Sequence, residues 1–312
     1  QEIANHRYPW LADGHRAMTE RASERLTPFD GLLRAPDESL ALNGRVVSAS
    51  RLETLMTCTY RYFMRYVLNV EPVEELTERD ADRWLDPRDF GSLLHRLFRR
   101  FMQELADRGE AVDREKHEPL MRELLREEIE RESSRIPPPN QAARRRDEKR
   151  LWTSARIFLA AEEHHGREHR PAGFEVSFGR GDGGGEHGQD ALGQQEPVDL
   201  QLSDDVQFQL RGVIDRIDRG PDGTYAIWDY KTGSTYEFEA FDLFSGGKKL
   251  QWALYAHALA EITEEPVGRS GYFFPTAKTY GERMAQEMPG SDEIARFLEP
   301  LYTFDPLPFE DE

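Results

Sequence analysis

Cysteine, lysine and long apolar runs are the features that this sequence of 312 residues has least of. Cys58 is its only cysteine, which excludes an internal disulfide and any metal site built from four cysteines of this chain. No apolar run is long enough to cross a bilayer and no secretory signal is visible, so the sequence predicts a cytoplasmic protein with no membrane partner. Only six of the 41 basic residues are lysines, a bias typical of a halophile or of a GC-rich genome.

Basic residues are also outnumbered by acidic ones, and the formal net charge is -18. Binding to nucleic acid normally needs a basic surface, so this charge argues against a simple DNA-binding protein. An acidic surface is also an adaptation to high salt, where screening mutes the repulsion. Two local basic clusters remain, at residues 144–150 and at Lys248–Lys249. The net charge therefore does not exclude a nucleic-acid partner.

Two carboxylates and an amine come together in a predicted β-hairpin. Asp215 lies in one strand, a turn follows at residues 220–223, and Asp229 and Lys231 lie in the next strand. Side chains alternate along a strand, so Asp229 and Lys231 share a face, and the hairpin brings Asp215 beside Asp229. Adjacent carboxylates repel unless a cation lies between them. The pattern favours a Mg²⁺ or Mn²⁺ site of the kind that cleaves a phosphodiester.

The alternative interpretation is a surface hairpin whose charges are solvated. The apolar residues around the two acids argue against it, because an unpaired carboxylate among them would cost free energy. These neighbours are Val213, Ile214, Ile217, Ile227 and Trp228.

The remaining sequence alternates helical and extended patterns. Residues 1–45 are predicted to form an irregular lead-in with one helix near residues 14–26, and the ends at Gln1 and Glu312 suggest a piece of a longer polypeptide. A capping box of Ser50 and Glu53 indicates a helix that starts at Ser48. Further predictions are an aromatic, strongly packed segment over 60–68, helices over 86–109, 118–133 (charged and mostly exposed), 142–165 and 248–262, and strands over 174–178, 206–218, 224–231 and 271–274. The glycine-rich insert at about 179–195 is predicted to be disordered.

Three polar residues outside the hairpin complete a larger pattern. His95 lies on the helix predicted over 86–109, and Gln251 and Tyr255 lie one turn apart on the helix predicted after the hairpin. Each is weak alone, since a lone helical histidine is usually a surface or core residue. Together, in this order, they resemble the RecB-type branch of the PD-(D/E)xK nuclease superfamily. The resemblance covers residues 46–275 through four motifs, Gly91-x-x-x-His95, Gly212-x-x-Asp215-Arg216-x-Asp218, Asp229-Tyr230-Lys231-Thr232-Gly233 and Gln251-x-x-x-Tyr255.

This resemblance implies an α/β fold of the restriction-endonuclease type. Such a fold has an αβββαβ core, in which helices flank a mixed central sheet, here with extra N-terminal helices. A RecB-like nuclease domain would then occupy residues 46–312, with its core at about 88–275.

The resemblance also implies roles for the residues that match its motifs. The divalent metal would be bound by His95, Asp215, Asp229 and the backbone carbonyl of Tyr230. Lys231 would orient the attacking water and stabilise charge on the phosphate, which makes Asp215, Asp229 and Lys231 the catalytic set. Gln251 and Tyr255 would contact DNA. Glu175 is either an acid that supports the ligands without binding the ion or a solvated strand residue.

The ligand types indicate which cation the site would prefer. Two carboxylates leave most positions around the ion to water and phosphate, as Mg²⁺ prefers. A histidine ligand shifts the preference toward Mn²⁺. We therefore expect activity with Mg²⁺ and at least equal activity with Mn²⁺, and not with Zn²⁺ or Ca²⁺ alone.

The segment from Val47 to Leu68 resembles the start of the nuclease domain in AddB-type helicase-nuclease subunits. In that group a cysteine at the position of Cys58 joins three more cysteines beyond the core to bind a four-iron iron-sulfur cluster. This chain lacks the other three, so the cluster is not possible within this chain alone. Cys58 is a candidate ligand in a longer parent chain only, and is otherwise a small buried hydrophobic residue.

The function that the resemblance implies is metal-dependent hydrolysis of DNA. The expected form is an exonuclease on single-stranded DNA that acts with a helicase subunit or domain in double-strand-break repair and recombination. One alternative is a free-standing RecB-like nuclease of repair or CRISPR systems. Another is a non-catalytic DNA-binding scaffold, which the complete set of acids and lysine argues against. No Gly-x-x-x-x-Gly-Lys-Ser/Thr loop is present, so this sequence predicts no ATP site.

Overall fold

The computed structural model of the chain describes residues 9–22, 44–71, 82–180, 191–201, 204, 207–233, 235, 244–277, 280–287, 289 and 291–298. The chain divides into two compact units, Gln1–Asn43 and Gly44–Glu312, and the domain boundary at residue 46 stays a prediction. Within the described ranges, no helix is both long enough and apolar enough to cross a membrane. Residues 181–190 of the glycine-rich insert lie outside the described residues.

Helices and strands alternate along the described part of the chain. The helices are α1 (Pro9–Arg21), α2 (Ala49–Thr57), α3 (Thr59–Tyr62), α4 (Pro87–Arg108), α5 (Arg114–Arg135), α6 (Gln141–His165), α7 (Gln251–Thr263) and α8 (Ser291–Leu298). A π-helical turn spans Phe63–Val67 and a 3-10 turn spans Ser245–Gly247. The strands are β1 (Val46–Ser48), β2 (Arg170–Phe178), β3 (Val198–Gln201), β4 (Gln207–Arg219), β5 (Tyr225–Tyr230), β6 (Val267–Phe274) and β7 (Glu282–Glu287).

One mixed sheet contains all the described strands. Its path runs β1-β4-β5-β6-β7, and β2 and β3 also pair with the long strand β4. The β4–β5 hairpin is antiparallel, β5 and β6 are parallel, and β7 returns antiparallel to β6. The crossover between the parallel strands β5 and β6 contains α7, as parallel pairing requires. The order α4, β2, β4, β5, α7, β6 is the αβββαβ core that the sequence predicts, and the fold class is confirmed.

Helices α4, α5 and α6 pack as a layer on one face of the sheet. Helix α4 begins where Asp86 accepts a hydrogen bond from the amide of Asp89, and it ends at the left-handed Gly109. Its apolar stripe packs on α6, where Phe98 is stacked on Phe158 at 4.0 Å between ring centroids. Tyr230 of β5 lies edge-on to Phe98, so the helix that carries His95 is packed directly on the hairpin.

Helix α7 packs on β6, β4 and β5 on the side of the sheet away from α4, α5 and α6. Helix α2 packs beside α7. The residues of α7 from Trp252 to Leu259 are almost all buried, which explains its apolar character on every side. The hydroxyl of Ser270 in β6 donates to the carbonyl of Trp252, at 2.7 Å, and so joins helix and strand. The sheet is therefore enclosed between two helical layers, and the catalytic candidates lie at the edge where α4, β5 and α7 meet.

Three local expectations differ from the structure. The prediction of a strongly packed aromatic segment is wrong, because most of residues 59–68 are exposed or half-buried and Tyr60 is 71% exposed. Helix α5 is indeed charged, but its buried face includes Glu128 and Glu132, which bind Arg96 of α4. Helix α7 begins three residues later than predicted, after the 3-10 turn. The sequence analysis also missed β1, β3, β7 and α8.

Candidate metal centre

The β4–β5 hairpin places the two aspartates side by side. Arg216 pairs with Trp228 in the antiparallel register, and Asp215 and Asp229 are the next residues toward the open end of the hairpin. The Oδ2 atom of Asp215 accepts a hydrogen bond from the amide of Tyr230 at 3.0 Å. The main chain of β5 therefore fixes the orientation of the Asp215 carboxylate.

Helix α4 brings His95 to the same point. The Nε2 atom of His95 lies 2.8 Å from the carbonyl oxygen of Tyr230, and its Nδ1 atom lies 3.3 Å from Asp215 Oδ2. Burial lowers the pKa of His95 below its ordinary value, although the charge of Asp229 opposes the shift. The imidazole is therefore neutral near pH 7, which is the form that binds metal ions.

Gly91, one turn before His95, explains the first motif. A Cβ atom at this position would lie 3.2 Å from Oγ1 of Thr232, the residue after Lys231. The absence of a side chain therefore lets α4 approach the segment that follows β5.

Glu175 is closer to the centre than the sequence analysis predicts. Ligand atoms of His95, Glu175 and Asp215 all lie within 4.8 Å of one another. Glu175 also has a φ of +49°, a left-handed conformation that is strained for a residue with a side chain. Strain of this kind persists where the surrounding structure imposes it, and here it accompanies a carboxylate at the centre. Glu175 thus belongs to the group of candidate ligands instead of only supporting it.

Asp229 lies next to this group and is bound on both sides. Its Oδ2 atom forms an ion pair of 2.5 Å with the Nζ atom of Lys231. Its Oδ1 atom accepts a hydrogen bond from Nε2 of Gln251, at 2.8 Å. The structure therefore brings the predicted acid, the predicted amine and the glutamine of α7 together, with Asp229 facing Lys231.

Two upward pKa shifts describe the electrostatics of the centre. Burial raises the pKa of Asp215 well above its ordinary value, and the charges of Asp229 and Glu175 raise it further. Burial acts to lower the pKa of Lys231, but the charge of Asp229 prevails and raises it. Lys231 therefore carries a proton at neutral pH. The repulsion among these acids is a condition that a bound cation would relieve.

Tyr255, the second half of the Gln-x-x-x-Tyr motif, lies over Gly212. A Cβ atom at Gly212 would come within 2.6 Å of the tyrosine ring, which explains the glycine at the start of the second motif. Burial raises the pKa of Tyr255 to about 12, so its hydroxyl stays protonated. Contact of Gln251 and Tyr255 with DNA stays a prediction.

Glu53 is a functional candidate that the sequence analysis misread. The predicted capping box with Ser50 is wrong, because Ser48 caps α2 and Glu53 faces the other way. The Oε1 atom of Glu53 accepts hydrogen bonds from the amides of Leu250 and Gln251, at 2.8 and 3.1 Å. Glu53 thus caps the first turn of α7 from a different helix. No local sequence pattern signals a cap between residues 198 positions apart.

The other half of the second motif lies away from the centre, on the opposite face of β4. Asp218 accepts hydrogen bonds from His165, at 2.8 Å, and from Arg216, at 2.5 Å. Burial opposes ionisation of Asp218, but the charge of Arg216 and the hydrogen bond from His165 lower its pKa to about 2. These residues form a buried ionic network that joins α6 to the sheet.

Cys58 is half-buried, and its sulfur accepts a hydrogen bond from the amide of Arg61 at the start of α3. It is therefore a helix cap and not the fully buried hydrophobic residue of the alternative prediction. Its role as an iron ligand in a longer chain stays a prediction.

Two of the five basic residues in the cluster at residues 144–150 are paired with acids. Arg144 pairs with Glu130 and Glu148, and Arg150 pairs with Asp147. These contacts favour a solvated helix surface over the lining of a DNA channel.

The distances within the centre fit a hard divalent cation. Ligand atoms at about 2.1 Å from an octahedral ion lie about 3 Å apart when adjacent and about 4 Å apart when opposite. The 2.8 Å between His95 Nε2 and the Tyr230 carbonyl matches an adjacent pair, and the group with Glu175 and Asp215 lies within 4.8 Å. Oxygen ligands with one imidazole suit Mg²⁺ or Mn²⁺.

A mixed sheet between helices, with clustered acids and a protonated lysine on its central hairpin and an imidazole from α4, is the arrangement of a nuclease class. The profile of the PD-(D/E)XK nuclease superfamily matches residues 46–303. The chain belongs to this superfamily, and it is a nuclease domain.

Several curated proteins are similar to the same part of the chain. One subunit of an ATP-dependent helicase/deoxyribonuclease, from Clostridium acetobutylicum, is 31% identical over 225 residues, which cover 69% of this chain and 18% of that protein. Proteins of the same description from Clostridium tetani and Symbiobacterium thermophilum are 26% and 29% identical over 70% and 69% of this chain. The chain spans 18% of the length of these relatives.

Proposed function

We propose that this chain hydrolyses phosphodiester bonds of DNA with Mg²⁺ or Mn²⁺ as the nuclease domain of a helicase-nuclease. The observation that carries the proposal is the convergence of His95, Glu175 and Asp215 within 4.8 Å, next to the Asp229–Lys231 ion pair. The names of the similar proteins, which are subunits of helicase/deoxyribonucleases, support the larger assembly. Exonuclease action on single strands that a helicase subunit unwinds, in repair of double-strand breaks, is the finer form of the proposal.

Each residue of the centre has a distinct task in this proposal. His95, Asp215 and the Tyr230 carbonyl hold the cation together with a carboxylate of Glu175 or Asp229. A bound divalent cation polarises a phosphoryl oxygen and lowers the pKa of its water, which makes hydroxide accessible near pH 7. The neutral state of His95 and the fixed orientation of Asp215 prepare these ligands before binding.

Lys231 acts as a cation and not as a base. Its raised pKa keeps the ammonium charged, so it can orient a water molecule and stabilise charge that develops on the phosphate. Asp229 holds the amine in place, and Gln251 holds Asp229 from the other side. These contacts connect the first turn of α7 to the amine of Lys231 through Asp229.

Two alternative functions account for the residues of the centre less well. A non-catalytic DNA-binding scaffold would not need a buried acid cluster beside a charged lysine, because both cost free energy without a cation or phosphate to stabilise them. A free-standing repair or CRISPR-associated nuclease would share the chemistry and differ only in partners. The length of the similar subunits favours a domain of a larger protein.

Digestion of end-labelled single- and double-stranded DNA with Mn²⁺, at low and high salt, tests this proposal. We expect the wild-type chain to cleave, and Lys231→Ala and Asp215→Ala to lose about 10²-fold or more, since each removes electrostatic stabilisation of the transition state. Mg²⁺ should support cleavage, and Mn²⁺ should support at least as much.

The matched controls are Lys149→Ala and Asp107→Ala, both exposed residues of the helical layer. They should cleave as the wild type does, and circular dichroism should show that all four variants fold. Undiminished cleavage by both Lys231→Ala and Asp215→Ala would refute the assignment, as would activity with Zn²⁺ or Ca²⁺ alone.

A further inference from the structure

Helices α2 and α3 and the π-helical turn after them expose large apolar and aromatic side chains together with arginines. Tyr60 is 71% exposed, and Leu68 and Val70 are 50% and 45% exposed. Tyr66 is half-buried, and Arg61 and Arg65 are exposed. Aromatic rings that alternate with arginines on an open surface are not needed to stabilise a core.

This surface is positive in a strongly negative chain. Residues 44–68 contain four arginines and a single acidic residue, Glu53, whereas the whole chain has a net charge of -18. Glu53 is directed toward the amides of α7. The four arginines are Arg45, Arg51, Arg61 and Arg65.

None of these four arginines forms an ion pair with an acid in the part of the chain that the structure describes. In the helical layer, by contrast, Arg96, Arg100 and Arg135 each bind glutamates. The positive charge of the α2–α3 segment is therefore available to an external anion.

Guanidinium groups lie close to tyrosine rings in this segment. The Arg51 guanidinium lies 5.3 Å from the ring centroids of both Tyr62 and Tyr66, and it donates to the Tyr62 hydroxyl at 2.8 Å. Arg65 lies 5.5 Å from the centroid of the Tyr66 ring on the other side. Such contacts hold planar groups at fixed positions, so stacking on them costs little conformational entropy.

The same helix is tied to the candidate metal centre. Glu53, two residues after Arg51, binds the amide of Gln251, and the Gln251 side chain binds Asp229. The helix that carries Arg51 is therefore linked through Glu53 and Gln251 to Asp229, one of the residues that would act on a phosphodiester.

We propose that Arg51, Tyr60, Arg61, Arg65 and Tyr66, here named the arginine–tyrosine surface, bind single-stranded DNA on its way to the metal centre. Unpaired bases expose their faces and stack on aromatic side chains and arginines, whereas bases in a duplex do not. The arginines, which have no acid partner among the described residues, bind the phosphates between them. This inference rests on the proposed nuclease function, because it assigns a substrate-binding surface to that site.

Fluorescence anisotropy of a labelled oligo(dT) in EDTA, where no cleavage occurs, tests the inference. Tyr60→Ala should weaken binding at least about fivefold, because stacking of one base on an aromatic ring is lost. The double variant Arg61→Ala/Arg65→Ala should reduce the slope of log K against log salt concentration by about 1.4. Binding to a blunt duplex should change much less in Tyr60→Ala.

Matched controls exist elsewhere in the chain. Tyr280 is 85% exposed and follows β6, and Arg126 and Arg156 are exposed on α5 and α6. Tyr280→Ala and Arg126→Ala/Arg156→Ala remove the same groups and the same charge, and should leave the affinity and the salt slope for oligo(dT) unchanged.

The outcomes separate this inference from the proposed function. Hydrolysis of bis(p-nitrophenyl) phosphate by the wild-type chain with Mn²⁺ tests the metal centre alone, and anisotropy in EDTA tests the surface alone. Wild-type affinity of Tyr60→Ala and of the double arginine variant for oligo(dT) would overturn the inference. In that case the arginine–tyrosine surface would be left as a contact for another protein segment. Equal losses in the control variants would overturn it too.

Discussion

His95 and Asp215 are in contact, and burial changes their proton affinities in opposite directions. It lowers the pKa of His95 and raises that of Asp215. Near neutral pH the histidine therefore has no proton to lose on binding a cation, whereas the aspartate must lose one at any pH below its raised pKa. A metal ion competes with protons for this carboxylate, so the raised pKa of Asp215 makes metal binding depend on pH.

The affinity for Mn²⁺ should therefore rise with pH. Below the raised pKa of Asp215 each bound ion displaces about one proton, so affinity should increase about tenfold per pH unit and level off above that pKa. Isothermal titration between pH 5.5 and 8.5, in two buffers of different ionisation enthalpy, measures both the affinity and the proton release. An affinity that is constant over this range, with no proton released, would contradict the assignment of Asp215 as a ligand.

Residue patterns predicted much of this centre and missed two acids. Asp215, Asp229 and Lys231 were predictable because a hairpin has a fixed register and alternation, which place them together from local sequence. Glu175 was not predictable as a candidate ligand, because it lies opposite Asp215 only through the pairing of β2 with β4, and the sequence between these strands does not fix that register. Glu53 carries no local signal, since its partners are amides of a helix nearly two hundred residues further on.

At the scale of elements, the contact between α2 and α7 is central to the account. Helix α7 has no side chain of its own that caps its first turn, and Glu53 of α2 supplies the acceptor. This contact fixes the amide of Gln251, whose side chain holds Asp229. The position of α2 therefore influences the catalytic acid without touching it.

Replacing Glu53 tests this coupling. Glu53→Ala should lower the free energy of unfolding by about 1–2 kcal/mol, because two amides of the first turn of α7 lose their acceptor. It should also reduce DNA cleavage through loss of order at Gln251. Glu53→Gln keeps an oxygen acceptor and should retain most of both, as measured by urea unfolding and DNA digestion.

A matched control for this replacement is Glu104→Ala, which removes an exposed glutamate that pairs with Arg108 among the residues that the structure describes. It should change neither property noticeably. If Glu53→Ala behaves like this control in both measurements, the coupling between α2 and the centre is disproved.

Elements with strong periodicity were predictable, and weak ones were not. Helix α4 combines an N-cap, an apolar stripe and a terminal glycine, and its observed bounds lie within one residue of prediction. Strand β3 has only four residues, and its pairing with β4 depends on tertiary contact. The α2–α3 segment was misread because aromatic residues usually indicate burial, whereas here they lie on an arginine-rich surface.

At the scale of the whole molecule, positive and negative charges are distributed unevenly, which the net charge of -18 does not show. In the helical layer, arginines such as Arg96 are paired with Glu128 and Glu132, so they add little to the positive electrostatic potential around the protein. The arginines of residues 44–68 lack such partners among the described residues, and Arg51 lies on the helix that is linked to the metal centre through Glu53 and Gln251. A chain that is acidic overall can therefore still attract DNA locally, although net charge alone argued against it.

The central claim is that residues distant in sequence converge on one divalent cation in a nuclease of the PD-(D/E)XK superfamily. Crystals of the chain soaked in Mn²⁺, with diffraction data collected for the anomalous signal of manganese, test it most directly. The account predicts one strong peak within coordination distance of His95, Asp215 and the Tyr230 carbonyl, and its loss in Asp215→Ala. The absence of a peak there at saturating Mn²⁺, or the same peak in the variant, would contradict it.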